Sequence, residues 1–251
     1  MIKKITVAAT LVASVAGFVG SVNAAAGDVT VTFGYAQSSA TGLKKDINYY
    51  GGAVREGQGV ANEIRGIAAS EGFTIPAESI VSKADKYSDP HGVAAKVRYE
   101  FTDQWGVIGA FTYLNSSASG RLYSKNAAGD VAETVSGHGE INSKYYSLQA
   151  GPTYRVNDYV SGYVMAGLAS AKVERYFDYE YQQPGKQKNG KPYPRKSGIL
   201  FRNDESKTQL TYSAGLQFNV YNGLVLDVAY EGSGSGNWKT SGFNVGVGYK
   251  F

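Results

Sequence analysis

The chain has 251 residues and no cysteine, which excludes a disulfide framework and a thiolate metal site. Its 25 Lys and Arg against 21 Asp and Glu give a net charge of +4, which falls to about +2 (23 against 21) if Lys3 and Lys4 leave with a leader; neither value pulls the chain towards nucleic acid. Thirty-two glycines and 20 tyrosines beside only 6 prolines suggest antiparallel β architecture.

The amino terminus reads as a leader. MIKK is short and basic, ITVAATLVASVAGFVG is uncharged and apolar, and SVNAAAG offers Val22 and Ala24 for cleavage after Ala24. This is the layout of a secretory signal peptide over residues 1–24, leaving 25–251 as the mature chain. A membrane anchor helix fits less well, because the apolar run is marginal in length and no stop-transfer charge cluster flanks it. Beyond it no stretch of about 20 apolar residues exists, so no helix is expected to span a membrane.

Alternation with a period of two then recurs. VTVTFGYAQ puts Val29, Val31, Phe33 and Tyr35 on one face against Thr30, Thr32, Gly34 and Ala36. A long first loop follows, from about 38 to 90. In it VANEIRGIAAS carries Val60, Ile64, Ile67 and Ala68 at helical spacing and should stop at Gly72. PAESIVSKADKY is predicted as a second helix, with Pro76 in its first turn. Together they would form a partly folded cap over a barrel mouth. The alternative is an added hairpin around INYYGGAV, which would make ten strands.

HGVAAKVRYEF sets Val93, Ala95, Val97, Tyr99 and Phe101 against Lys96, Arg98 and Glu100. WGVIGAFTYL follows through the short turn TDQW. KYYSLQAGPTYR sets Tyr146, Leu148 and Tyr154 against Ser147, Gln149, Thr153 and Arg155. YVSGYVMAGLAS is apolar on both faces, so its register stays open. KTQLTYSAGLQF and GLVLDVAYEG alternate again, the latter with Val225, Asp227, Ala229 and Glu231 on one face. FNVGVGYKF ends the chain with Phe243, Val245, Val247, Tyr249 and Phe251 against Asn244, Gly246, Gly248 and Lys250.

Eight such segments fit either a soluble sandwich or a membrane barrel. Three features favour the barrel. Short and long connections alternate, as in outer-membrane barrels with short periplasmic turns. Phe101, Trp105, Tyr154, Tyr159, Phe218, Tyr221, Tyr249 and Phe251 cluster beside the short turns, as an interfacial aromatic girdle does. The polar face carries Lys96, Arg98 and Arg155 with Glu100, Asp227 and Glu231, a balance that a closed interior requires. An eight-stranded barrel is just wide enough for side chains to fill it, so these six should form a packed polar core rather than a pore. The fold expected is all-β: an eight-stranded antiparallel transmembrane β-barrel with short periplasmic turns and long extracellular loops.

The ending F-x-x-G-x-G-Y-K-F, the segments KVRYEFTDQWGVIGAFTYL and KYYSLQAGPTYRVNDYV, and AGLQFNVYNGLVLDVAYE together resemble the Ail/Lom family of OmpX-like outer-membrane proteins. The resemblance covers about half of the mature chain, mostly strands and short turns. Two departures stand out: Ala94 and Ala95 occupy the region where the family's second strand usually has an asparagine, and the first loop is far longer. The resemblance implies a bacterial outer-membrane location and a role in adhesion or serum resistance. It also implies that Tyr249 and Phe251 act as a sorting signal for the outer-membrane assembly machinery.

The residues point to one exposed binding segment. QPGKQKNGKPYPRKS carries Lys186, Lys188, Lys191, Arg195 and Lys196, with no acid between Glu180 and Asp204 and with Tyr193 among them. Cations interleaved with aromatics suit anionic, ring-bearing partners such as sulfated glycans or lipopolysaccharide phosphates. Host matrix proteins are further candidate partners; a monomer and no cofactor are expected. No enzyme is expected either. SDPHG places Ser88, Asp89 and His91 close in sequence, but side chains so near in sequence diverge and seldom form a working triad. His138 between two glycines reads as an ordinary loop residue. The runner-up function is a structural protein that binds lipopolysaccharide; a lipid A-modifying enzyme is the third.

Overall fold

The computed structural model describes residues 26–125 and 131–251; the expected leader, 1–24, lies outside them. Nine strands form one sheet: β1 (Val29–Ala40), β2 (Ser79–Ala84), β3 (His91–Glu100), β4 (Trp105–Lys125), β5 (Val131–Arg155), β6 (Val160–Tyr181), β7 (Lys196–Tyr221), β8 (Leu224–Ser233) and β9 (Thr240–Lys250). Eight of them close into an antiparallel barrel, because β1 pairs with both β3 and β9 and the rest follow in order. Closure leaves the membrane-spanning part without an unpaired edge, which hydrocarbon would penalise.

The faces follow the alternation. Phe33, Val97, Phe111, Leu148, Val164, Leu168, Leu210 and Val247 point outward, with Leu148 and Leu210 as much as 69% and 77% exposed. Water would not tolerate so continuous an apolar surface; acyl chains would. Phe101, Trp105, Tyr154, Tyr159, Tyr221, Tyr249 and Phe251 stay exposed at the short-turn rim, where the Trp105 and Tyr154 rings meet edge-on at 4.9 Å. The short turns staple themselves: the Trp105 amide donates to Thr102 Oγ1 at 2.8 Å, and the Tyr159 and Val160 amides both donate to Asn157 Oδ1 at 2.9 Å.

β4 to β7 run for 21, 25, 22 and 26 residues, whereas spanning needs only about 9–11. Their excess projects beyond the lipid-facing band as a sheet. The connection between β6 and β7 is therefore confined to residues 182–195, and Lys196, expected in a long loop with the other basic residues, instead opens β7, where it pairs with Tyr181. The projecting sheet is amphipathic in the opposite sense: its outward face is polar, and its inward face offers Ala118, Leu122, Val135, Ile141 and Val173.

Two helices cover that apolar inner face. α1 (Thr41–Glu56) buries Leu43, Ile47 and Val54, and α2 (Gln58–Ser70) buries Ala61, Ile64 and Ala68. α2 falls on the predicted VANEIRGIAAS helix. α1 takes the place of the hairpin considered around INYYGGAV, because Leu43, Ile47 and Val54 are its buried residues: Leu43 and Ile47 meet Ala118, Ile141 and Val173 below, and Val54 lies over Gly120. The predicted helix at PAESIVSKADKY is instead the strand β2. β3 ends its pairing with β4 at Asn115, and β2 takes over the vacant edge from Gly120 to Lys125; ladder hydrogen bonds there outweigh a short segment's helical spacing. Gly57 joins the helices at φ 67°, and a Cβ there would meet Ile80 Cγ2 and Ser82 Oγ at 2.9 Å, so only glycine fits the bend.

Polar clamps hold the cap. Arg175 Nε donates to Asp46 Oδ2 at 3.0 Å and its Nη1 lies 3.3 Å from Glu205. Asp85 Oδ2 accepts the Ser119 amide at 2.9 Å and the Ser119 hydroxyl at 3.0 Å. These two bonds hold the exposed Asp85 carboxyl below its ordinary value. Its contribution is therefore present at neutral pH and is lost as the pH falls through the depressed value. Protection of the β2 amides, referenced to the intrinsic exchange rate at each pH, should fall on acidification more steeply in the wild type than in Asp85→Asn; parallel profiles would rule the clamp out.

Candidate functional site: a sealed lumen and an exposed basic loop

The lumen is filled by side chains on the even positions of β1, β3, β4 and β9 and the odd positions of β5 to β8. Lys96, Arg98, Glu100, Arg155 and Asp227 are all buried there. Lys96 Nζ pairs with Asp227, donates to Asn244 Oδ1, and donates to the Tyr163 hydroxyl at 2.7 Å. Tyr163 donates in turn to Asp227 Oδ2 at 3.0 Å. Its ring crosses the lumen over Gly215, where a Cβ would collide with the ring's Cζ and hydroxyl. Nearer the short turns, Glu100 lies between Arg98, 3.4 Å away, and Arg155. Asp28 adds contacts to Arg155 at 3.8 Å and to Lys250 at 3.4 Å.

Among the described residues Glu231 forms no salt bridge with these cations, although its charge reaches Lys96. It is half-buried nearer the mouth and accepts from Thr112 Oγ1 at 2.9 Å, the Tyr145 hydroxyl at 2.8 Å and Ser147 Oγ at 2.7 Å. Asp28, Tyr163, Asn244 and Lys250 are lumen members that the six-residue set omits. Parity could have found Lys250, which alternates with Gly246 and Gly248, and Asp28, which continues Thr30 and Thr32. Tyr163 lies in the segment whose register the sequence leaves open. Between lumen and cap lie voids of about 30 and 10 Å³, room for a water or two.

The basic loop sits at the far end of β6 and β7. Lys186, Lys188 and Lys191 are exposed, and among the described residues none of them forms a salt bridge. Lys186 and Pro192 make a bridge that folds the loop back on itself, helped by the Gln187 amide donating to the Lys191 carbonyl at 2.7 Å. The other two cations are matched by acids the loop itself lacks. Arg195 Nη1 lies 3.1 Å from Glu180, and Lys196 Nζ lies 3.3 Å from Glu71 on the cap. The Tyr181 hydroxyl and then Lys196 hold Glu71 below the usual carboxylate range, while burial, with Glu71 second, pushes the Tyr181 hydroxyl up to about 12. Tyr193 is half-buried; its ring packs edge-on against Phe73 at 6.5 Å and its carbonyl accepts from Gln182 Nε2 at 2.7 Å. Structure thus divides the set: among the described residues Lys186, Lys188 and Lys191 face solvent without a salt bridge, Tyr193 and Lys196 tie this segment to the cap, and Arg195 ties it to β6.

The histidines do not assemble a nucleophilic site. His91 Nδ1 lies 3.3 Å from the Asp89 carbonyl rather than its carboxylate, and the Asp89 carboxylate accepts from Gln37 at 3.3 Å. His138 is a strand residue of β5 beside Asp178, not a loop residue.

A family model described as enterobacterial Ail/Lom protein matches residues 59–251. The outer membrane protein lom of Escherichia phage lambda is 35% identical over 163 residues, covering 64% of this chain and 73% of that protein. The attachment invasion locus protein of Yersinia pseudotuberculosis is 35% identical over 173 residues, 67% of this chain and 75% of its own. Among solved structures, Ail, the attachment invasion locus protein of Yersinia pestis, aligns over 90% of this chain and 99% of its own, with a TM-score of 0.50 and 26% identity. Its complex with the heparin analogue sucrose octasulfate aligns equally well.

Proposed function

The chain belongs to the enterobacterial Ail/Lom family and is an outer-membrane β-barrel, and from that premise we propose that its extracellular crown attaches the cell to sulfated glycans on host surfaces. Serum resistance would follow from the same surface when it recruits or screens host components. The observation that carries this reading is the trio Lys186, Lys188 and Lys191, exposed and unpaired on a loop held by a rigid sheet and cap. The binding of a heparin analogue by the Yersinia pestis Ail supports the same ligand class. Delivery would use the leader at 1–24, and Tyr249 and Phe251, whose rings meet at 5.0 Å, would present the assembly signal.

Changing Lys186, Lys188 and Lys191 together to serine should weaken whole-cell binding to heparin about tenfold. Each exposed ion contact contributes about 0.5 kcal/mol, and three of them amount to one decade. Raising salt should erase the difference. Unchanged attachment at low salt, with the protein present at wild-type levels, would remove the loop from the binding surface.

A second reading has its own observation. Lys144 and Lys172 stand directly opposite each other on the outward face, just beyond the apolar band. Like charges so placed repel unless an anion joins them, and Glu174 forms its salt bridge with Lys172 and reaches Lys144 only through its field. Phosphates of lipopolysaccharide would satisfy Lys144. Altered antibiotic permeability with normal attachment in a Lys144→Ser variant would favour this membrane-stabilising role.

A further inference from the structure

The outward wall of the projecting sheet holds a groove of about 520 Å³, away from the loop's tip. β4, β5 and β6 set Arg121, His138 and Asp178 side by side across its floor, and the next row is Tyr123, Ser136 and Glu180. Arg195, at the end of the basic loop, closes one side against Glu180. His138 Nδ1 lies 3.5 Å from Asp178 Oδ1, with the two side chains 45% and 40% exposed. Arg121 enters no salt bridge among the described residues, although its charge reaches Asp85.

The charged groups facing His138 are Arg121 from β4, Asp178 and Glu180 from β6, Glu140 two residues along its own strand, and Arg195 from the loop. Glu140 is engaged by Asn142 Nδ2 at 3.0 Å. Within the groove a neutral imidazole leaves two guanidinium groups against two carboxylates, with no surplus for an anion. A proton on His138 gives a surplus of one positive charge and offsets the Asp178 carboxylate beside it.

We propose that this groove is a second subsite for a sulfate group of an acidic glycan, opened when His138 takes up a proton. The proposal rests on the glycan reading of the basic loop and deepens it. Loop and groove meet at Arg195, so one saccharide chain reaches both. Histidine is the side chain whose charge most often changes between neutral tissue and acidified surfaces. Sulfate esters stay ionised throughout that range, so a change in affinity reports the protein's charge and not the ligand's.

The test uses the full chain in zwitterionic detergent micelles, with sucrose octasulfate as probe at fixed ionic strength, at pH 7.5 and pH 5.5. Wild-type protein should bind about fivefold tighter at pH 5.5, the effect of one added charge about 4 Å away across water. His138→Gln should lose that gain, its affinities at pH 5.5 and pH 7.5 agreeing. Asp178→Asn should bind about fivefold tighter already at pH 7.5. The triple lysine variant should weaken binding by the same factor at both pH values, which tests the loop separately. A gain that survives in His138→Gln, or wild-type binding that ignores pH, overturns the subsite and leaves the glycan reading standing. No binding at either pH overturns both.

Discussion

Asp227→Leu should destabilise the barrel by about 3–5 kcal/mol, the cost of leaving a buried charge without its partner. The charge in question is the Lys96 ammonium, held in the lumen by Asp227, Asn244 and Tyr163. It cannot reach bulk water, because the barrel wall surrounds it and the cap fills the mouth above. Removing both charges is a different experiment. Lys96→Met together with Asp227→Leu leaves an apolar pair of similar volume, and such replacements are often neutral or stabilising. Unfolding by urea in vesicles should therefore rank the single variant far below the double. A double variant as weak as the single would mean that packing at these positions, rather than charge compensation, sets the stability.

That pair also shows how much the sequence discloses. Lys96, Arg98, Glu100, Arg155 and Asp227 share a face by parity alone, and period-two alternation survives any twist or tilt of the strand. Parity says which side a residue faces but not its height along the barrel. Glu231 accordingly lies on the same side as the others yet binds hydroxyls of Thr112, Tyr145 and Ser147 instead of a cation.

Strand length was illegible for a physical reason. Above the lipid band the outward residues turn polar, as at Lys144, Lys172 and Glu174, while the inward ones turn apolar, as at Ala118, Ile141 and Val173. The contrast between faces inverts instead of stopping, because helices replace the polar lumen inside and water replaces lipid outside. A segment with inverted contrast reads as loop when the search is for greasy outward faces.

The same inversion explains α1 and β2. Neither is set by local preference. α1 forms because the concave sheet needs an apolar cover, and β2 because β4 outlasts its partner β3. The neutralisation of Lys196 by Glu71 is likewise invisible from the chain, since the partners are 125 residues apart. α2 was legible because the helical stripe of Val60, Ile64, Ile67 and Ala68 meets no competing strand edge, whereas the helical spacing of the β2 segment gives way to the open edge of β4.

Val164→Arg should cost about 2–4 kcal/mol in a bilayer, the penalty measured for a cation on the lipid face near the membrane midplane. Val164 is 57% exposed and pairs with Ala214 on β7. On a water-facing strand an exposed valine exchanged for arginine changes stability by no more than about 0.5 kcal/mol, so the two environments predict different results from one substitution. Ser117→Arg supplies the control. Ser117 also faces outward and pairs with Asn142, but on the projecting part of β4 beyond the apolar band, where an arginine meets water. Urea titrations of both variants in phosphatidylcholine vesicles should show a lowered midpoint for Val164→Arg and an unmoved one for Ser117→Arg. Equal midpoints would mean that the apolar wall does not meet hydrocarbon at Val164. The penalty should also shrink towards the short-turn rim, where an arginine can reach the headgroups, so Val107→Arg should fall between the two.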